Sequence, residues 1–102
     1  MIHVVATIEL QPGTREAFLG EFGRLVPEVR AEAGCIEYGA AVDVASGLGP
    51  QPALRPDTVV VIEKWSDLEA LRAHAGAAHM AAYRARVKDW VVRTTVQVLE
   101  PA

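Results

Sequence analysis

The stretch that decides the fold is DTVVVIEKWSDLEALRAHAG, residues Asp57–Gly76, in which one hydrophobic period gives way to another. Up to Trp65 the residues are rich in β-branched side chains and alternate between two faces, which is typical of a strand. One face of this strand carries Val59, Val61 and Glu63 together with the tryptophan. A strand that turns directly into a helix is therefore predicted here.

The helix that follows is marked at both ends. Ser66 stands three residues before Glu69, the spacing of a reciprocal capping pair, so we expect Ser66 to cap a helix that begins at Asp67. Leu71 lies on its predicted inner side, and Gly76 is expected to end it. The sequence therefore predicts a short amphipathic helix behind the strand.

Upstream, the sequence predicts a strand, a helix and a second strand. Ile2–Leu10 alternates with a period of two, and the next segment has apolar residues at i, i+4, i+7 and i+11 up to about Gly34. Pro27 lacks the backbone N–H, so we expect a kink there or a break into two short helices. Cys35–Val44 alternates again and should pair antiparallel with the strand that ends at Trp65.

Downstream, a second helical segment is expected from about Ala78, and Thr94–Leu99 is predicted to be the last strand. Residues 45–56 contain three prolines and two glycines without periodicity, which indicates a loop or hairpin tip. The order β-α-β-β-α-β predicts an α+β, ferredoxin-like fold: one four-stranded antiparallel sheet with its helices on one face. At 102 residues, we expect residues 1–102 to form a single domain.

Composition limits the classes of partner. The net charge of −3 argues against an electrostatic grip on nucleic acid or on an acidic membrane, and a single cysteine excludes an internal disulfide. The longest aliphatic run, Val59–Ile62, is too short to span a bilayer. We therefore expect a soluble, cytoplasmic protein that binds neither nucleic acid nor membranes.

One face of the predicted sheet has no helix to cover it. Aliphatic residues occur on both faces of the first two strands, so a monomer would expose a large apolar patch. The sequence therefore predicts a homodimer in which one sheet packs against the other.

Two of the three histidines, His74 and His79, lie five residues apart on either side of Gly76. On one continuous helix that spacing separates two side chains by roughly 140°, so a shared metal ion is not expected there. His79 and Tyr83 are four apart, where an imidazole and a phenol can address the same ligand. The alternative is that His79 caps the helix or bonds a carbonyl while Tyr83 packs in the core.

The strand residue Glu63 can orient a histidine or a substrate hydroxyl beside the indole of Trp65. A buried carboxylate needs a partner, however, and an ion pair with Lys64, Arg84 or Arg86 is the alternative for Glu63. Simple core packing is the alternative for Trp65.

The other candidate residues have mainly structural expectations. His74, near a helix C-terminus, is expected to be solvated or capping and at most at a pocket rim. Tyr38 and Phe22 are expected to meet across the gap between helix and sheet. We assign no chemistry to His3, and none to Cys35, which has no cationic neighbours that would make a reactive thiolate.

Four segments carry a resemblance to a known family. They are VVATIELQPGTREAF at residues 4–18, RAEAGCIEY at 30–38, VVVIEKWSDLEALRAH at 59–74 and HMAAYRARV at 79–87. In this order and spacing the chain resembles the antibiotic biosynthesis monooxygenase (ABM) domain family, and particularly its quinol monooxygenase branch.

The resemblance implies a dimeric α+β barrel with a pocket in each protomer between sheet and helices. There an electron-rich aromatic substrate, such as a quinol or a polyphenol, would meet molecular oxygen, and the protein would need neither a metal nor a flavin cofactor. For such a reaction we expect His79 to be the base and Tyr83 and Glu63 to be hydrogen-bonding partners. The residues expected around the substrate are Trp65, Tyr38, Met80, Phe22 and His74.

Related branches degrade haem and use an asparagine on the first strand, where this chain reads Val4–Ile8 without one. A non-catalytic module that binds haem or another small ligand is the alternative function. A structural or regulatory dimer with a filled pocket is a third.

Overall fold

Four strands and three helices make up the computed structural model, which describes residues 1–102. In chain order they are β1 (Ile2–Leu10), α1 (Arg15–Arg30), β2 (Cys35–Ala41), β3 (Thr58–Trp65), α2 (Leu68–Ala75), α3 (Ala78–Val87) and β4 (Val91–Leu99). The sheet order is β2-β3-β1-β4, and every neighbouring pair is antiparallel. The predicted ferredoxin-like α+β fold is confirmed.

The central strand β1 pairs with both β3 and β4, and its alternation defines the two faces of the sheet. Every second residue from Ile2 to Leu10 is buried, while those between are partly exposed. The buried face packs against the apolar stripe of α1, which consists of Phe18, Phe22, Leu25 and Val29. The core therefore lies on one side of the sheet, as the periodicity predicts.

Two details of the helices differ from expectation. Helix α1 runs unbroken through Pro27, so the predicted break is wrong. Because Pro27 has no N–H, the carbonyl of Gly23 has no hydrogen-bond donor within the helix. Both residues are exposed, so solvent can satisfy that carbonyl. Helix α2 is capped by Asp67 rather than Ser66, because the Asp67 carboxylate accepts from the Ala70 N–H at 2.8 Å.

Strand β2 is shorter and less regular than predicted. Cys35 lies opposite Trp65 and Glu37 opposite Lys64, so Ile36 is an extra residue in a bulge and is 54% exposed. The regular alternation predicted for Cys35–Val44 is therefore interrupted at Ile36. Because of the bulge, the side chain of Tyr38 lies on the buried face of the sheet.

The connection between β2 and β3 is the irregular segment predicted for residues 45–56. Arg55 joins the two ends of this segment, because its guanidinium donates two hydrogen bonds of 2.8 and 2.9 Å to the Asp43 carboxylate. These bonds lower the pKa of Asp43 to about 2. None of the three helices is long and apolar enough to cross a membrane.

The turn between α1 and β2 packs closely on the start of α2 at Gly34. Its φ of +81° is unfavourable for other residues, and a Cβ there would lie 2.5 Å from the Ser66 Oγ and 2.6 Å from the Ala70 Cβ. The Ser66 N–H also donates to the Gly34 carbonyl at 2.8 Å. Only glycine fits this contact.

Gly34→Ala is expected to lower the free energy of unfolding by about 2–4 kcal/mol, since backbone strain and overpacking add. Gly47→Ala is the matched control, because Gly47 has a φ of +78° with nothing within 4 Å of the added Cβ, and it should cost only about 1 kcal/mol. Denaturant unfolding measures both. An equal loss of unfolding free energy in the two variants would contradict the close contact at Gly34.

Candidate functional site

A cavity of about 520 Å³ lies between the buried face of the sheet and helices α2 and α3. Its wall is mainly aliphatic and aromatic, and the polar groups that reach it include Glu63 and His74. Lys88 and Val96, at the side near β4, line it and are exposed, so the cavity opens there. Its volume falls in the range of small-molecule sites, about 300–1,000 Å³.

Aromatic rings form one side of this cavity. Phe22 stacks on Tyr38 with ring centroids 5.4 Å apart, which confirms their predicted meeting across the gap between helix and sheet. Tyr83 stands edge-on to Phe22 at 6.1 Å. Burial raises the pKa of both Tyr38 and Tyr83 well above the usual range, so both phenols stay neutral. A flat aromatic ligand would therefore meet ring faces and neutral hydroxyl donors.

His74 is buried at the end of α2, with 5% exposure. Its ring lies against Trp65 at a centroid distance of 4.6 Å and edge-on to Tyr38 at 5.5 Å. The expectation that His74 is solvated or capping is wrong, because α2 turns this face toward the end of β3. His74 instead forms part of the cavity wall.

Glu32, in the turn after α1, joins the two histidines. Its Oε2 lies 2.9 Å from Nδ1 of His74 and 2.8 Å from Nε2 of His79. Because the carboxylate accepts, we assign ring protons to these two nitrogens. In the neutral ring Nε2 of His74 is then the nitrogen without a proton, and it lies 3.9 Å from Oε1 of Glu63. The network runs from the partly exposed His79 through Glu32 to the cavity wall.

Glu63 is buried on β3 with 6% exposure and accepts a hydrogen bond of 2.9 Å from Nε1 of Trp65. Burial raises the pKa of Glu63, and the bond from Trp65 partly offsets this. The alternative of an ion pair with Lys64, Arg84 or Arg86 is not formed within the chain. Those three cations contact Glu37, the Ala75 carbonyl and Glu21, respectively.

The structure brings most of the predicted site residues together around the cavity. Six of them line it: Tyr83, Glu63, Tyr38, Met80, Phe22 and His74. Trp65 is fully buried behind His74 and supports its ring. His79 does not line the cavity either, because its ring is turned toward Glu32. His79 and Tyr83 therefore do not address the same space, although they share a helix.

Sequence reasoning missed Glu32. The only local signal is an acidic residue two positions before a tightly packed glycine, and the chain has 13 acidic residues. The spacing argument against a shared ion applies to one continuous helix, whereas the joint at Gly76 lets α2 and α3 turn both histidines toward the same carboxylate. One donor atom from each of Glu32, His74 and His79 lies within 4.8 Å of the others.

Glu63→Gln is expected to flatten the pH dependence of stability. Because the pKa of Glu63 is raised in the folded state, the native protein binds the extra proton, and wild-type stability falls as pH rises above about 4.5. Glutamine still accepts from Trp65 but carries no charge. The stability of the variant should match that of the wild type near pH 4 and exceed it at pH 7, where the wild-type carboxyl must ionise in a buried site.

Thermal and denaturant unfolding across this pH range measure the effect. The control is Glu28→Gln, an exposed position on α1, which should leave the pH profile unchanged. A Glu63→Gln profile parallel to that of the wild type would contradict the raised pKa.

Comparison with known proteins agrees with this architecture. A family model described as antibiotic biosynthesis monooxygenase matches residues 1–86. The protein is 39% identical over 103 aligned residues to "Probable quinol monooxygenase YgiN" of Escherichia coli strain K12, covering 99% of this chain and 98% of that protein.

Solved structures show the same fold. PA3566 from Pseudomonas aeruginosa superposes with a TM-score of 0.80 at 27% identity, over 99% of this chain and 93% of that one. Rv0793 from Mycobacterium tuberculosis gives a TM-score of 0.80 at 26% identity, over 99% and 94%. Together with the family match over most of its length, these similarities show that the chain belongs to the antibiotic biosynthesis monooxygenase family.

Proposed function

We propose that this protein is a cofactor-independent monooxygenase that oxidises a quinol-like or polyphenolic substrate with molecular oxygen. The observation that carries the proposal is a cavity of about 520 Å³ with an apolar, aromatic wall and one buried imidazole. Family membership and the name of the Escherichia coli relative support the same reaction class.

The cavity suits a flat substrate of one or two rings. Its lining is mostly apolar, so a bound aromatic would displace water and gain contact with the rings of Phe22 and Tyr38. The chain's own side chains leave this volume open, unlike the filled pocket expected of a purely structural dimer. An apolar setting also limits the loss of reactive oxygen intermediates to water.

His74 is the base in this proposal, in place of His79. Glu32 accepts the Nδ1 proton and so fixes the tautomer in which Nε2 can take a phenolic proton. The positive charge formed on the ring would lie 2.9 Å from the Glu32 carboxylate and 3.9 Å from Glu63. His79, bonded to the same oxygen of Glu32, holds that carboxylate in place.

Removal of the phenolic proton makes the substrate electron-rich enough to pass an electron to oxygen. For a hydroquinone, one oxygen atom then enters the ring and the other leaves as water, giving a hydroxyquinone, and the substrate supplies all four electrons. The neutral hydroxyls of Tyr38 and Tyr83 would donate to the oxyanions that develop. The role of the chain is to bind the substrate, to hold the phenolic proton and to exclude water.

We also propose that a second copy of the chain packs on the outer face of the sheet. No helix covers this face, and it carries aliphatic side chains such as those of Val5, Ile62 and Leu99. Ile62 is 36% exposed and Leu99 50% exposed. Covering these side chains with the same face of another protomer would remove them from water.

Purified protein should consume oxygen with members of a panel of hydroquinones faster than these autoxidise. His74→Ala should slow uptake by roughly 10²-fold or more, because general-base catalysis is lost. An oxygen electrode measures uptake, and mass spectrometry should find one atom of ¹⁸O in the product from labelled oxygen.

Arg72→Ala is the matched control, since Arg72 is exposed on the same helix as His74 and does not line the cavity. It should keep wild-type uptake. Tight, stoichiometric binding of the aromatic compounds without turnover would replace the enzyme proposal by the binding-module alternative.

The molar mass in solution should be twice that of one chain, as measured by light scattering. Ile62→Glu places a charge on the outer face and should shift the mass to that of a single chain. Leu54→Glu is the control, because Leu54 is also an exposed aliphatic residue, at 51%, but lies in the segment between β2 and β3, and this variant should stay dimeric. A wild-type monomer at all concentrations would contradict the sheet-to-sheet dimer.

A further inference from the structure

We propose that Glu32, His74 and His79 form a binding site for a divalent transition-metal ion of the Zn²⁺ or Co²⁺ type. The three ligands also act in the proposed oxygenase reaction, but the inference rests on the positions of the donor atoms and not on that reaction. Its three ligands come from three segments: the turn after α1, the last turn of α2 and the first turn of α3. The fold alone brings them together.

The donor atoms are close to the separation that such an ion requires. Oε2 of Glu32 lies 2.9 Å from Nδ1 of His74 and 2.8 Å from Nε2 of His79, and all three donor atoms are within 4.8 Å of one another. Tetrahedral coordination with bonds of about 2.1 Å places ligand atoms about 3.4 Å apart. Adjustments of well under an ångström in each side chain would therefore open a site between them.

The surroundings of His74 support the assignment. A histidine that binds a metal through one nitrogen commonly directs the other nitrogen at a carboxylate, which orients the ring. Nε2 of His74 lies 3.9 Å from Oε1 of Glu63, which is longer than a hydrogen bond but places a carboxylate next to this nitrogen, and Glu63 is fixed in turn by the indole N–H of Trp65 at 2.9 Å. Contact with the ring of Trp65, tilted by 34° at a centroid distance of 4.6 Å, further restrains the ring of His74.

The ligand set selects the class of ion. Two imidazoles and one carboxylate favour zinc, cobalt, nickel or copper over calcium and magnesium, which prefer oxygen ligands alone. In each neutral ring the proton that Glu32 now accepts would move to the other nitrogen, which frees the nitrogen nearest Glu32 to bind the ion. Three protein ligands leave a further position for water.

The ion can reach the site from solvent. The side chain of His79 is 26% exposed and that of Glu32 is 15% exposed, whereas the His74 side chain is 6% exposed and forms the inner wall. When an ion occupies Nδ1 of His74, the ring proton moves to Nε2. The ion-loaded and ion-free proteins would therefore present opposite tautomers of His74 toward the cavity.

The test titrates Zn²⁺ into chelator-treated, tag-free, full-length protein by calorimetry and Co²⁺ by visible absorption. We expect one ion per chain and Co²⁺ bands typical of four or five ligands. His79→Ala should weaken binding by at least about tenfold. Glu32→Gln should do the same, since glutamine keeps a hydrogen-bond acceptor but loses the charge, so the result does not depend on one variant folding.

His3→Ala is the matched control, because His3 lies on the outer face of the sheet opposite Lys64. Unchanged affinity and stoichiometry in this variant, with losses in the other two, would establish the site. Absence of Zn²⁺ binding would overturn it. So would binding that His79→Ala and Glu32→Gln leave intact, because the ion would then lie elsewhere.

Discussion

One carboxylate oxygen, Oε2 of Glu32, holds the candidate site together. It accepts from both His74 and His79 and so ties the turn after α1 to the two short helices on either side of Gly76. The close contact at Gly34 places this turn against the start of α2, which is why the carboxylate can reach both rings. Without that contact, the two histidines would lack the shared partner that orients them.

The cavity exists because the helices cover only part of the sheet. Helix α1 packs its aromatic stripe on the buried face, whereas α2 and α3 are short and leave the β4 side open, where Val96 remains 55% exposed. The polar groups at the inner wall form a connected set rather than isolated charges. Buried Glu63 is bound by Trp65, and His74 by Glu32, as burial of polar groups requires.

Much of the fold could be read from local pattern. The period of two in β1 and the four apolar positions of α1 predicted which residues are buried, since each reports on a single element. Errors occurred where a neighbour decided the outcome. The bulge at Ile36 depends on pairing with β3. Helix α1 continues through Pro27 at an exposed position, where solvent can satisfy the affected carbonyl. Of the site, the sequence identified the aromatic wall and both histidines. It placed His79 at the cavity and His74 in solvent, whereas the structure has His74 at the cavity and His79 partly exposed.

The sequence by itself determined the order of elements, the core stripes, the family and most of the residues around the cavity. These follow from periodicity and motif, which are properties of neighbouring residues. Only the tertiary structure decided that His74 is buried at the cavity while His79 faces Glu32. That choice depends on the angle between α2 and α3 and on a turn more than 40 residues away along the chain, and no local pattern encodes a contact between such distant segments.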